Sequence, residues 1–297
     1  MKFTNQIYIL LLVCFIISAC EDVVDIELDE FEPELVFDAW VTDMDEPQVI
    51  TLSQTQNFFN ADETPRINEA VVNLTRDDGV VFPFAFTENG RYVYDPASNG
   101  ILGVVGNSFE LNVDIGGDSF CASSTINRVP VIDSIGVEFR EEDLFSDEGF
   151  FTQFFARDFV GQGDAYWIQT FKNGEFRNNP RELNIAFDAG FDGGSGVDGI
   201  VFISPIRELI NPMDENFAPI PWEPTDTARV EIHSISQDAF QFLEIARDQI
   251  TNGDNGIFAL PVANTRSNIS NCTSEEALVI GFFNVASVST ESRVIQE

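Results

Sequence analysis

The sequence predicts a mainly β protein of two β-sandwich domains, the second carrying one short amphipathic helix. Three observations predict it. From about Leu35 onward, short runs rich in Val, Ile, Phe and Tyr recur between clusters of Gly, Asn, Asp and Pro, the pattern of antiparallel strands and their turns. Several of these runs flank tight-turn dipeptides, which marks hairpins. Finally, 44% hydrophobic residues and 29 Phe supply the apolar surface that a disordered acidic chain lacks.

The hairpin signals come first. Asp77-Asp78-Gly79 lies between Ala70-Val71-Val72-Asn73-Leu74 and Val80-Val81-Phe82. Gly116-Gly117 separates Phe109-Glu110-Leu111-Asn112-Val113 from Phe120, and Lys172-Asn173-Gly174-Glu175 follows Tyr166-Trp167-Ile168-Gln169-Thr170-Phe171. Asn-Gly and Asp-Gly tolerate the positive φ of a two-residue turn. Val129-Pro130-Val131-Ile132-Asp133-Ser134-Ile135 closes one set of strands and precedes another at Gly136-Val137-Glu138-Phe139. The expected division is therefore a sandwich over residues 35–130 and a second over 131–297, each large enough for its own core. Within the second, residues 236–251 place Phe240, Leu243, Ala246 and Ile250 on one helical stripe with Phe242 beside it, with Ser236 to cap the start and Gly253 to close the end.

Ahead of the first strand, residues 1–19 read as an export leader: Lys2, an apolar run over residues 7–17, then the small pair Ser18-Ala19 before Cys20. That run falls short of the roughly 20 residues that cross a bilayer, and no later segment is long and apolar enough to do so. Ile17-Ser18-Ala19-Cys20 resembles a bacterial lipobox, whose cysteine is acylated and becomes the new amino terminus. Several acyl chains anchor stably where one holds only marginally. Residues 20–34 are then expected to form an acidic tether, and Glu21-Asp22 resembles the surface-export signal of Bacteroidota lipoproteins.

Charge restricts the partners. Fifteen Lys and Arg against 50 Asp and Glu leave −35, a surface that repels nucleic acid and anionic lipid and needs only solvation to explain it. With Cys14 in the leader and Cys20 acylated, Cys121 and Cys272 remain; outside the cytoplasm they form either one disulfide or two separate buried thiols.

Few residues favour catalysis. His233 is the sole histidine, and alternation with Val230 and Ile232 directs it to solvent, so a Ser/His/Asp triad or a histidine metal site lacks support. A glycoside hydrolase needs only two carboxylates about 5–10 Å apart, which leaves a carboxylate-dependent hydrolase as a distant alternative. Asp188, Asp192 and Asp198 stand in a Gly-rich stretch whose carboxylates and carbonyls could converge on calcium, a hard ion suited to oxygen ligands. Trp222, held between Pro221 and Pro224, is a candidate to bind a glycan or a partner, with core packing as the other outcome.

Several segments in order resemble one family. Cys20-Glu21-Asp22, Pro33-Glu34-Leu35-Val36, Ala39-Trp40-Val41-Thr42, Val49-Ile50-Thr51-Leu52-Ser53, Ala70-Val71-Val72, Gly90-Arg91-Tyr92, Val129-Pro130-Val131-Ile132-Asp133, Ile257-Phe258-Ala259-Leu260-Pro261, Ser267-Asn268-Ile269 and Gly281-Phe282-Phe283 together resemble the Bacteroidota lipoproteins catalogued as domain of unknown function 4249. That resemblance implies immunoglobulin-like sandwiches, first of all in the N-terminal half. It also implies a non-enzymatic outer-membrane lipoprotein that serves a TonB-dependent transporter in substrate capture or complex assembly. The alternative is a free-standing, calcium-assisted surface module for glycan or peptide.

Overall fold

The computed structural model describes residues 32–56, 63–144, 146–194, 196–214, 218–251, 265–274 and 279–296. In chain order the strands are β1 (Leu35–Thr42), β2 (Gln48–Gln54), β3 (Val71–Arg76), β4 (Val81–Phe86), β5 (Arg91–Tyr94), β6 (Ser108–Ile115), β7 (Asp118–Thr125), β8 (Ile132–Arg140) and β9 (Gly149–Ala156). They continue as β10 (Ala165–Lys172), β11 (Glu175–Phe176), β12 (Asn184–Phe187), β13 (Thr227–Ile235), β14 (Ser270–Asn271), β15 (Val279–Ala286) and β16 (Val288–Val294). The helices are α1 (Pro96–Asn99), α2 (Ser204–Glu208) and α3 (Gln237–Thr251). The protein is mainly β, as its sequence predicts.

All three turn signals close hairpins. β3 and β4 meet around Gly79 (φ 86°), β6 and β7 around Gly116 (φ 61°) and Gly117 (φ 104°), and β10 and β11 around Asn173 (φ 55°) and Gly174 (φ 86°). In the second and third turns positive φ at both central residues matches the twist of the flanking strands, while the first turn has it at Gly79 alone.

Nine strands form one sheet in the order β14-β7-β6-β3-β4-β5-β2-β1-β15. The sheet folds over on itself: the Phe37 ring on β1 meets Phe120 on β7 at 5.5 Å, and the Val285 N–H on β15 donates to Ser124 Oγ at 2.9 Å. Its inner face buries Phe37, Ala39, Val41, Ile50, Leu52, Leu74, Tyr92, Leu111, Val113 and Phe283 in a single core, the alternate residues of each strand.

β1 and β15 pair in parallel, the one parallel pairing in this sheet among the described residues. At Gly281, where φ is 105°, a side chain would stand 1.9 Å from the Phe37 carbonyl oxygen. Only glycine allows so close an approach.

A second layer pair follows. β11-β10-β13-β16, with β12 also on β10, form a five-stranded sheet, and the β8-β9 hairpin covers one of its faces. Between them lie Ile135, Phe154, Tyr166, Ile168, Phe202, Ile206, Val230 and Ile232. The division expected at residue 130 is corrected in one respect: β14 and β15 belong to the first sheet although they lie in the C-terminal segment. The chain then crosses to the second sheet at Ser287, whose Oγ donates to Asp43 Oδ2 at 2.7 Å and whose N–H donates to Ser234 Oγ at 2.9 Å.

Helix α3 begins after Ser236, whose Oγ accepts from the Ala239 N–H at 3.0 Å. It buries Ala239, Phe240 and Leu243, while Ile250 is exposed, so the expected stripe packs only over its first two turns. Phe242 meets Trp40 and Phe282, which ties the helix to the outer face of the first sheet.

Candidate functional site

The residues of β1 that alternate with Phe37, Ala39 and Val41 point away from the first core. Asp38 and Trp40 thus face outward, toward the second sheet. There the same logic applies: Tyr166, Ile168, Val230 and Ile232 enter the second core, so Trp167, Gln169 and Phe171 on β10 and Arg229, Glu231 and His233 on β13 face the other way. Strand register sets these as direct neighbours, Trp167 opposite His233, Gln169 opposite Glu231 and Phe171 opposite Arg229. The two outward faces enclose a cleft of about 660 Å³, within the usual range of ligand sites.

Trp40 and Trp167 form its apolar end, their rings edge to face at 5.3 Å, backed by Phe282 and Phe242. The polar wall is a linked row. Arg229 lies over the Phe171 ring at 3.7 Å and pairs with Glu231 Oε1. Glu231 Oε2 is 3.0 Å from His233 Nε2, and the His233 ring lies 6.1 Å from Trp167. Asp38, Glu46 and Arg91 add charges at the opposing wall. Crowding by the surrounding protein raises the Asp38 carboxyl, though solvent still reaches the side chain and the shift has little consequence for stability.

The expectation that His233 faces solvent is therefore corrected. β13 runs between β10 and β16 and is covered on both faces, so alternation along it separates two buried environments rather than core from water. Trp222 is corrected as well. It is 2% exposed, packs with Val137, Phe150, Ala228 and Ile295, and donates from Nε1 to Asn211 Oδ1 at 3.0 Å, which leaves it no surface for a ligand.

Of the acidic trio read from the Gly-rich stretch, Asp188 and Asp198 converge and Asp192 does not; Asp192 is exposed. Asp158 takes the third place, so that one oxygen from each of Asp158, Asp188 and Asp198 lies within 4.8 Å of the others. Asp158 follows β9, Asp188 follows β12 in a left-handed conformation (φ 51°), and Asp198 sits on the turn that leads to α2. Pairing of residues 157–158 with 200–201 draws the two segments together.

Backbone N–H groups orient all three carboxylates. Gly163 and Asp164 donate to Asp188 Oδ1 at 2.8 and 3.0 Å, Gly161 to Asp198 Oδ1 at 2.9 Å, and Gly199 to Asp158 Oδ2 at 3.2 Å. The Tyr166 hydroxyl donates to Asp158 Oδ1 at 2.6 Å. Burial raises the Asp158 carboxyl, and burial together with this bond keeps Tyr166 protonated. No local signal marks Asp158, since only the strand pairing brings it near a loop 30 residues away in sequence.

Cys121 on β7 and Cys272 beside β14 form a disulfide with Cα atoms 6.1 Å apart. Cys20, the leader and nearly all of the acidic tether lie outside the described residues. Among the described residues no helix is long and apolar enough to cross a membrane.

No curated protein matches the chain. A family described as Domain of unknown function (DUF4249) matches residues 21–292. Those limits take in both sheets but for the last two residues of β16, every residue of the cleft and all three converging aspartates, so the protein belongs to the DUF4249 family.

Proposed function

We propose that this protein is a non-enzymatic, lipid-anchored outer-membrane protein that captures a ligand in the cleft between its two sheets and serves as an accessory subunit of a TonB-dependent transporter. The cleft carries the reading. Two tryptophan rings at one end and a row of fixed polar groups at the other are the means by which a binding site grips apolar surface and orients hydroxyls or amides. A glycan or a short peptide has that mixed character. Glu231 fixes the ring of His233, the sole histidine, and so gives the polar wall a fixed hydrogen-bonding group.

Two features support the location. Ile17-Ser18-Ala19-Cys20 has the form of an acylation site behind an export leader, and a disulfide spanning 151 residues belongs in an oxidising compartment. The transporter rests on the family resemblance. A free-standing surface module would use the same cleft without a barrel beside it.

The test uses the full-length lipidated protein. Detergent-solubilised outer membrane should yield a large β-barrel with the tagged chain. Titration with arrays of oligosaccharides and short peptides should change tryptophan fluorescence, and Trp40→Ala should weaken that binding roughly tenfold or more. Recovery of the chain alone would remove the accessory role. Binding unaffected by Trp40→Ala and Gln169→Ala, with folding intact by circular dichroism, would remove the cleft.

A further inference from the structure

We propose that Asp158, Asp188 and Asp198 bind one calcium ion, which fastens residues 157–164 to residues 188–201 behind the second sheet. Asp188 is fully buried, and while its Oδ1 accepts two backbone N–H groups, its Oδ2 has no hydrogen-bond partner among the described residues. A buried carboxylate oxygen left without a partner is costly. A cation bound between the aspartates removes that cost.

The neighbouring charges point the same way. Arg128 is engaged by Asp164, the Arg157 guanidinium donates to the Gly199 carbonyl at 3.1 Å, and among the described residues no ion pair reaches Asp158, Asp188 or Asp198. Three carboxylates within 4.8 Å repel one another unless a cation joins them. Their N–H partners hold them in that arrangement rather than letting them turn apart.

Ligand type and spacing select the ion. All the donors are oxygens, with no imidazole or thiolate to favour zinc or another transition metal. Two ligands of one calcium ion, at bonds of 2.3–2.6 Å, can stand at most about 4.6–5.2 Å apart, a limit compatible with oxygens that lie within 4.8 Å of one another. Magnesium, at 2.0–2.1 Å, draws its ligands closer and retains water. The site also leads toward the cleft: Gln237 at the start of α3 donates to the Gly163 carbonyl at 3.0 Å, and α3 places Phe242 against Trp40.

The full chain, stripped with chelator, is titrated with calcium, with magnesium and with terbium, whose luminescence Tyr166 beside Asp158 can sensitise. Calcium should raise the melting temperature by about 2–4 °C or more, magnesium should do less at equal concentration, and one terbium should bind and be displaced by calcium. Asp198→Asn preserves the oxygen that accepts from Gly161 and sits on a half-buried loop, so it should fold while weakening calcium binding at least about tenfold. Asp192→Asn should leave binding unchanged.

A melting temperature indifferent to calcium would overturn the assignment. So would terbium binding of equal strength in Asp198→Asn and the parent, because that is the behaviour of a diffuse acidic surface. An equal response to magnesium would overturn the choice of ion. If Asp158→Asn and Asp188→Asn fail to fold, the Asp198→Asn and Asp192→Asn pair still decides. None of these results depends on what the cleft binds.

Discussion

Asp226 immediately precedes β13, where Lys172 Nζ reaches it at 2.8 Å and Asn173 Nδ2 also donates at 2.8 Å. Burial alone would raise its carboxyl, but Lys172, Asn173 and the Glu223 N–H outweigh burial and hold it below the usual carboxylate range. A carboxyl depressed in the folded state adds stability above its unfolded pKa and loses it as pH falls through the lower folded value. Lys172→Met should therefore raise the Asp226 pKa and move the onset of acid unfolding to higher pH, as followed by circular dichroism. An unchanged onset would mean that Asn173 and the backbone suffice. At this scale the sequence misleads where tertiary structure changes the rule. His233 alternates correctly along β13, yet alternation predicts exposure only for a strand with one wet face. Asp188 and Asp198 are legible from their glycines, which permit tight loops, whereas Asp158 lies in an ordinary stretch and joins them only through strand pairing.

Elements defined by local chemistry are the legible ones. Each hairpin turn carries its own residues with positive φ, and α3 carries its own cap at Ser236. Pairings across long stretches of chain leave no such mark. β14 has two residues, paired to β7 at Ser270–Cys121 and Asn271–Phe120, with the Cys272 N–H donating to Ser119 at 2.7 Å. So short a strand gains little from its own hydrogen bonds, and the disulfide holds it. Replacing Cys121 and Cys272 with serine should cost roughly 2–5 kcal/mol in urea unfolding and expose the Cys272-position amide to hydrogen exchange before the rest of the sheet. Retained protection there would show that the edge pairs without the bond.

For the molecule as a whole, charge is the largest departure from an ordinary globular protein. Among the described residues few acids are buried, Asp158, Asp188, Asp226 and Glu231, and a chain with 35 excess negative charges repels itself in the compact state. Salt shortens the range of that repulsion to about 8 Å at physiological strength. In the presence of chelator, raising sodium chloride from about 10 to about 150 mM should raise the melting temperature. A fall would show that local pairs such as Arg128–Asp164 outweigh the global repulsion. The cleft is also a property of the whole: its walls come from β1, β2, β5, β10, β11, β13 and β15, and no run of sequence contains it. Mainly β structure could be read from the chain, but the facing of two outward surfaces could not.

The parallel match of β1 with β15 has a temporal consequence. A polypeptide threaded through a membrane from its amino end delivers β1 among the first segments and β15 among the last. Until then β1 has β2 on one side and a bare edge on the other, and such an edge invites pairing with foreign strands. Under the export proposed above, there is an interval in which β1 waits for β15, and a chaperone of the receiving compartment would have most to protect during that delay.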